Sequence, residues 1–328
     1  MENLFNVQTL INTLNVQTTS YNSYFMEKYI RKFLDKNAIP YTTDNYGNIY
    51  ATKGIAQLYP TMVCHVDTVH DINMDSVVKR HNDILYSIDS ITCQRTGIGG
   101  DDKVGVYITL ELLKNLDTFK GVFFKDEEVG CVGSGQADMS FFNDSTIVLQ
   151  CDRKGMGDFV TAIYDTELAD DTLINDIQSI LDSYDRKVCD GGLTDVKSIA
   201  TKNKVQVANV NCGYYMPHTD DEIVSIDDVN LTLNFCYDVF IATQHKRYEL
   251  IRETKSKRHS YKKWTYPVSQ SHDDWNKPYE YEPLQPEHYD FYGEHVCQKC
   301  DGTQTQLDTY SNEVYCYTCD DFSNNKYA

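Results

Sequence analysis

The chain has 328 residues with 41% hydrophobic content, enough for one large core and a small second module. Its 30 basic against 49 acidic side chains leave a formal net charge of −19, which argues against non-specific contact with nucleic acid or an anionic membrane. The first twenty positions hold no Lys or Arg, and no apolar run reaches the roughly 18–20 residues of a membrane span, so a cytoplasmic protein without signal peptide or membrane helix is expected.

Between 22 and 36 the spacing of Phe25, Tyr29, Ile30 and Phe33 predicts an amphipathic helix, and 39–53 reads as a hairpin turning near Asn45-Tyr46-Gly47-Asn48. Further on, 60–65, 121–125, 146–152 and 205–210 read as short apolar strands and 102–116 as a helix. A last helix over 226–244 carries Val229, Leu233, Phe235, Cys236, Val239 and Phe240 at helical spacing. Buried strands alternating with helices predict an α/β domain over 1–245, a mixed, mostly parallel sheet covered by helices on both faces. In such sheets the loops at the carboxyl ends of the strands gather the working residues. The composition then changes. Eight Lys and Arg face two Glu over 246–263, and four of the seven prolines fall between 264 and 290, so 246–290 reads as a charged, Pro- and Tyr-rich linker. Seven of the eleven cysteines are scattered singly and read as reduced thiols; the other four are paired near the end of the chain.

Five stretches carry chemistry. In His65-Val66-Asp67 a histidine and an aspartate two apart at a strand end face the same way, so the Asp67 carboxylate can accept the ring N–H while the other nitrogen binds a metal. Asp101-Asp102 follows Gly99-Gly100 and opens a helix, where a lone acidic pair would more often be a cap. Glu127-Glu128 ends a hydrophobic strand, a costly place for adjacent carboxylates unless a cation pairs them. Cys151-Asp152-Arg153-Lys154 and Pro217-His218-Thr219 complete the set.

In order and spacing these pieces resemble the di-zinc exopeptidase superfamily of co-catalytic aminopeptidases and tripeptidases, over about two-thirds of the chain. The resemblance rests on His-x-Asp-Thr at 65–68, Gly-Asp-Asp-Lys at 100–103, Asp-Glu-Glu-x-Gly at 126–130 and Gly-Tyr-Tyr-Met-Pro-His at 213–218. It implies one zinc on His65 and Asp152, a second on Glu128 and His218, and Asp101 bridging them; cobalt or manganese would suit the same donors. It further implies Glu127 as general base, Asp67 as the residue orienting a ligand, and a cis peptide between Asp101 and Asp102. Only 65 residues separate Asp152 from His218, too few for the lid domain that tripeptidase-like members insert there. Arg153, Gly192, Tyr214 and Tyr215 are expected to line a substrate pocket, with ordinary turn and core roles as the alternative.

Cys297-x-x-Cys300 and Cys316-x-x-Cys319 stand fifteen residues apart, the spacing of a zinc ribbon over 291–328 with one structural zinc. Its acidic balance favours a protein partner, reached through the ribbon or the basic linker, over nucleic acid. The expected activity is that of an aminopeptidase on short peptides. The alternatives are an amidohydrolase of N-acyl amino acids or cell-wall peptides on the same site, and a non-catalytic zinc-binding adaptor.

Overall fold

The computed structural model describes residues 4–250 and, beyond them, the backbone of three short strands. The chain divides into two compact units, Met1–Arg252 and Glu253–Ala328. In chain order the first holds α1 (Val7–Asn15), α2 (Tyr24–Lys36), β1 (Tyr41–Thr43), β2 (Ile49–Lys53), β3 (Tyr59–His65), β4 (Ser76–His81), β5 (Ile84–Asp89), β6 (Arg95–Thr96), α3 (Gly100–Asn115), β7 (Phe119–Phe124), α4 (Val132–Gly135), β8 (Ser145–Gln150), β9 (Asp158–Ile163), β10 (Thr166–Glu167), α5 (Asp171–Ser183), β11 (Lys187–Gly191), α6 (Asp195–Lys202), β12 (Val207–Val210), β13 (Tyr214–Tyr215), β14 (Ile223–Ser225) and α7 (Ile226–Thr243).

The main sheet runs β1-β2-β7-β3-β8-β12-β9-β10, with β11 on β9. Its centre, β7-β3-β8-β12, is parallel, while β1, β2, β9 and β10 add antiparallel edges. This is the expected α/β architecture, and alternate residues of each central strand enter different cores. Met62, Cys64, Phe123 and Leu149 pack under α1, α2, α3, α5 and α7, whereas Val63, Val122, Phe124 and Val148 face α6 and the turn of Met139–Phe142. Helix α3 is buried along nearly its whole length: its apolar residues are spread around the helix, and Asp102, Lys103, Thr109 and Glu111 are buried with them. Helix α2 is amphipathic, but its inward stripe is Met26, Ile30 and Leu34; Phe25, read from spacing as inward, packs against Tyr24 on the exposed side.

A smaller sheet, β13-β14-β5-β4 with β6 on β5, stands apart from this frame and carries the segment leading to His218. The first unit also runs past the expected boundary at 245. Tyr248 N donates to the Thr146 carbonyl at 2.9 Å, Tyr248 OH reaches Asp176 at 2.8 Å, and Arg247 caps the Phe142 and Ser145 carbonyls. Residues 246–250 are therefore a strap across the amino ends of β8 and β12 and not linker, because their polar groups find partners there. Among the described residues no helix is long and apolar enough to cross a membrane. In the second unit Thr305–Asp308, Glu313–Cys316 and Asp321–Asn324 form an antiparallel three-stranded sheet. The linker beyond 250 and the side chains of Cys297, Cys300, Cys316 and Cys319 lie outside the described residues.

Candidate metal centre

Strands β7, β3 and β8 lie side by side and parallel, so their carboxyl ends converge. His65 is the last residue of β3, Glu127 and Glu128 follow β7, and Asp152 follows β8. Asp101 arrives from the first turn of α3, and His218 from the loop between β13 and β14, both beside these ends. His65 Nε2 lies 3.2 Å from Asp101 Oδ1 and 3.9 Å from Asp152 Oδ1. On the other side of Asp101, His218 Nε2 lies 3.3 Å from Asp101 Oδ2 and 3.2 Å from Glu128 Oε1. The result is two three-ligand groups, His65-Asp101-Asp152 and Asp101-Glu128-His218, sharing one aspartate, with donor atoms inside 4.8 Å of one another in each.

The donor chemistry fits a pair of cations. Glu128 Oε1 is buried with the His218 ring 3.2 Å away but no well-directed hydrogen bond, a gap that a cation between them would complete. Burial, and then the neighbouring Asp101, push the Asp152 carboxyl up to about 8; burial and then Asp152 push Glu127 up to about 7. Burial also disfavours ionisation of Asp101, but hydrogen bonds with His218 and His65 outweigh it and hold that carboxyl below its ordinary range. Carboxylates crowded in this way compete for protons unless positive charge sits among them.

The surroundings hold the donors in place. His65 Nδ1 lies 3.0 Å from the backbone carbonyl of Asp67, and a carbonyl only accepts, so Nδ1 carries a proton and Nε2 is the nitrogen turned to the carboxylates of the site. Asp67 Oδ1 also lies 3.5 Å from Nδ1, so Asp67 meets His65 through both its carbonyl and its carboxylate. The same carboxylate accepts from Glu127 N at 3.0 Å on Oδ1, and from Ser20 Oγ at 2.8 Å and Glu128 N at 3.3 Å on Oδ2. Asp67 therefore fixes the backbone that presents the two glutamates. Asp102, joined to Asp101 by the expected cis peptide, caps the helix through Gly105 N and accepts from His65 N.

Two residues that the motifs did not single out complete the frame. The carboxylate of Glu222 accepts from Gly99 N at 2.8 Å, Asp101 N at 3.1 Å and His70 Nε2 at 3.0 Å, pinning the turn that presents Asp101. Gln150 donates from Nε2 to Asp152 Oδ2 at 3.0 Å and to the buried Asp195 at 3.3 Å. Their only sequence signal is a polar residue beside an apolar strand, at Glu222-Ile223-Val224 and Leu149-Gln150-Cys151.

The residues expected to line a substrate pocket fare differently. Tyr214 is buried behind the metal-facing side chains with its hydroxyl 3.3 Å from Asp152 Oδ1, and the Tyr215 hydroxyl donates to Asp228 at 2.6 Å. Arg153 Nε is held by Asp158 at 2.7 Å, and Gly192 is exposed with open space where a Cβ would stand. Nearby carboxylates thus already bind both tyrosine hydroxyls and the Arg153 Nε.

No family model matches the chain, and no curated protein does either. Solved structures do. The chain is similar to aminopeptidase PepT from Bacillus cereus at 14% identity, with 73% of this chain and 98% of that one covered and a TM-score of 0.60. A tripeptidase from Staphylococcus aureus matches at 13% identity, 74% and 98% coverage and a TM-score of 0.59. An aminopeptidase from the archaeon Desulfurococcus kamchatkensis follows at 16%, 74% and 96%, and 0.53. At these identities the likeness is one of fold, and the α/β unit described above shares its architecture with these peptidase structures.

Proposed function

We propose that the chain is a metal-dependent exopeptidase, an aminopeptidase acting on short peptides. The observation that carries this reading is the pair of three-ligand groups sharing Asp101, with the non-ligand carboxylate of Glu127 beside them. His65 and Asp152 would hold one zinc, Glu128 and His218 the other, and Asp101 both. When bound, such a pair supplies Lewis acidity that polarises the scissile carbonyl and acidifies a water. Glu127 takes that water's proton on its carboxylate and returns it to the departing amine. Asp67 keeps the Glu127 and Glu128 amides in place, and His65 donates a hydrogen bond from Nδ1 to the Asp67 carbonyl, which leaves Nε2 as the nitrogen that would bind the metal. The fold shared with aminopeptidase and tripeptidase structures supports a peptide as substrate. We assign a further structural zinc to the four-cysteine ribbon over 291–328, a protein-docking role to that ribbon or the basic linker, and a cytoplasmic location.

The test is a metal count by mass spectrometry on zinc-loaded protein, with assays on free and N-blocked short peptides beside Glu127→Ala. The expected result is about three zinc ions per chain and cleavage of free peptides that disappears in the variant. Cleavage confined to N-acylated amino acids would move the assignment to a deacylase; one zinc and no cleavage would leave a metal-binding adaptor.

A further inference from the structure

Among the described residues, the Cys131 side chain touches the carboxylate to which proton transfer is assigned. Cys131 lies four residues past Glu127, and its thiol sits 3.1 Å from Glu127 Oε1. A tight turn brings it there, with Gly130 N and Cys131 N donating to the Glu127 carbonyl at 2.8 and 2.7 Å. Two features set this contact apart from incidental packing. Cys131 has φ 55°, a left-handed conformation that glycine adopts freely and a residue with a Cβ adopts at a cost. It is also the N-cap of α4, yet its side chain makes no capping bond; its polar atom is turned on the carboxylate instead. Burial and the acidic groups Asp195 and Glu127 hold the thiol well above its ordinary range, so it keeps its hydrogen and acts as a donor.

We propose that Cys131 is a positioning residue for the general base: its S–H donates to Glu127 Oε1, fixes the rotamer of a half-buried glutamate and leaves Oε2 to meet the water. A glutamate left unanchored spreads over several rotamers, whereas a general base works only within roughly 2.6–3.2 Å of its proton. A misplacement of about 1 Å at a reacting centre costs roughly 100-fold in rate. A buried apolar side chain at 131 would pack as well but would direct nothing. The inference rests on the assignment of Glu127 made above.

The test compares Cys131→Gly, Cys131→Ala and Cys131→Ser with wild type in the full-length, zinc-loaded protein. Glycine removes the donor while relieving the left-handed backbone, so a merely structural cysteine would be replaced without loss. Cys131→Gly should keep its metal content and melt no lower than wild type, with kcat down about five- to tenfold and KM within about twofold. Cys131→Ser, which keeps a donor, should recover kcat to within about threefold. Wild-type kcat in both Cys131→Gly and Cys131→Ala overturns the proposal while leaving the peptidase assignment intact; an inert wild type with metals bound overturns the assignment itself. A second readout needs no activity. The S–H infrared band, isolated as wild type minus Cys131→Ser, should move to higher frequency in Glu127→Ala, and an unmoved band refutes the hydrogen bond.

Discussion

Asp67 shows how a single buried carboxylate organises the centre without facing it. It accepts from a serine hydroxyl and two backbone amides, so replacing it by alanine leaves buried donors unpaired and frees the segment carrying both glutamates. Asp67→Ala should lower metal affinity roughly 10- to 100-fold, read by chelator competition, whereas an unchanged affinity would mean the segment is held by other contacts. Glu127→Gln should behave in the opposite way, keeping the metal while kcat falls roughly 10²- to 10⁴-fold. Elsewhere, burial of the Tyr29 hydroxyl, which meets Thr13 Oγ1 at 3.0 Å, pushes that phenol up to about 12. A tyrosine in the unfolded chain titrates near ~10. The stability Tyr29 contributes is thus fully present below that pH and is lost as pH rises through about 12. Urea midpoints between pH 9 and 12 should accordingly fall more steeply in wild type than in Tyr29→Phe, and equal slopes would rule this out.

At the scale of elements, the close seat of α3 on the sheet depends on one small residue. A Cβ at Gly121 of β7 would come within 2.8 Å of Leu113 Cδ1 and 2.9 Å of Thr109 Cγ2, both on α3. Gly121→Val should therefore destabilise by about 1–3 kcal/mol in urea unfolding, through overpacking alone. Because α3 also presents Asp101, the same variant should weaken metal binding; intact binding would show that the first turn of α3 is anchored independently, through Glu222. The convergence of the candidate metal donors is itself a property of elements. Parallel β7, β3 and β8 end side by side, and residues far apart in the chain meet there.

For the whole molecule, the strap of 246–250 makes the edge of the first unit part of its stability. A chain ending at residue 252 should unfold cooperatively and bind the catalytic metals, while one ending at 245 loses buried Tyr248 and Leu250 with their main-chain bonds. The shorter chain should be less stable by about 3–5 kcal/mol, a drop of roughly 10 °C in Tm by calorimetry. Equal melting of the two would make the strap passive.

The sequence alone determined the elements whose information is local. Helices α2, α3 and α7 and strands β3, β7 and β8 were legible because apolar periodicity is written in neighbouring residues. The strand-end positions of His65, Glu128 and Asp152 were legible because a carboxylate or imidazole closing a buried run is conspicuous. Strands β4, β6 and β11 left no such trace, being partly exposed and rich in polar residues. Nor did the strap, whose basic composition reads as solvated chain until the carbonyls it caps are beside it. Which oxygen pairs with which donor was decided by tertiary structure. Glu222 serves amides more than 120 positions away and Asp67 amides 60 away, and no local pattern encodes a partner that arrives only when strand ends and loops are packed together.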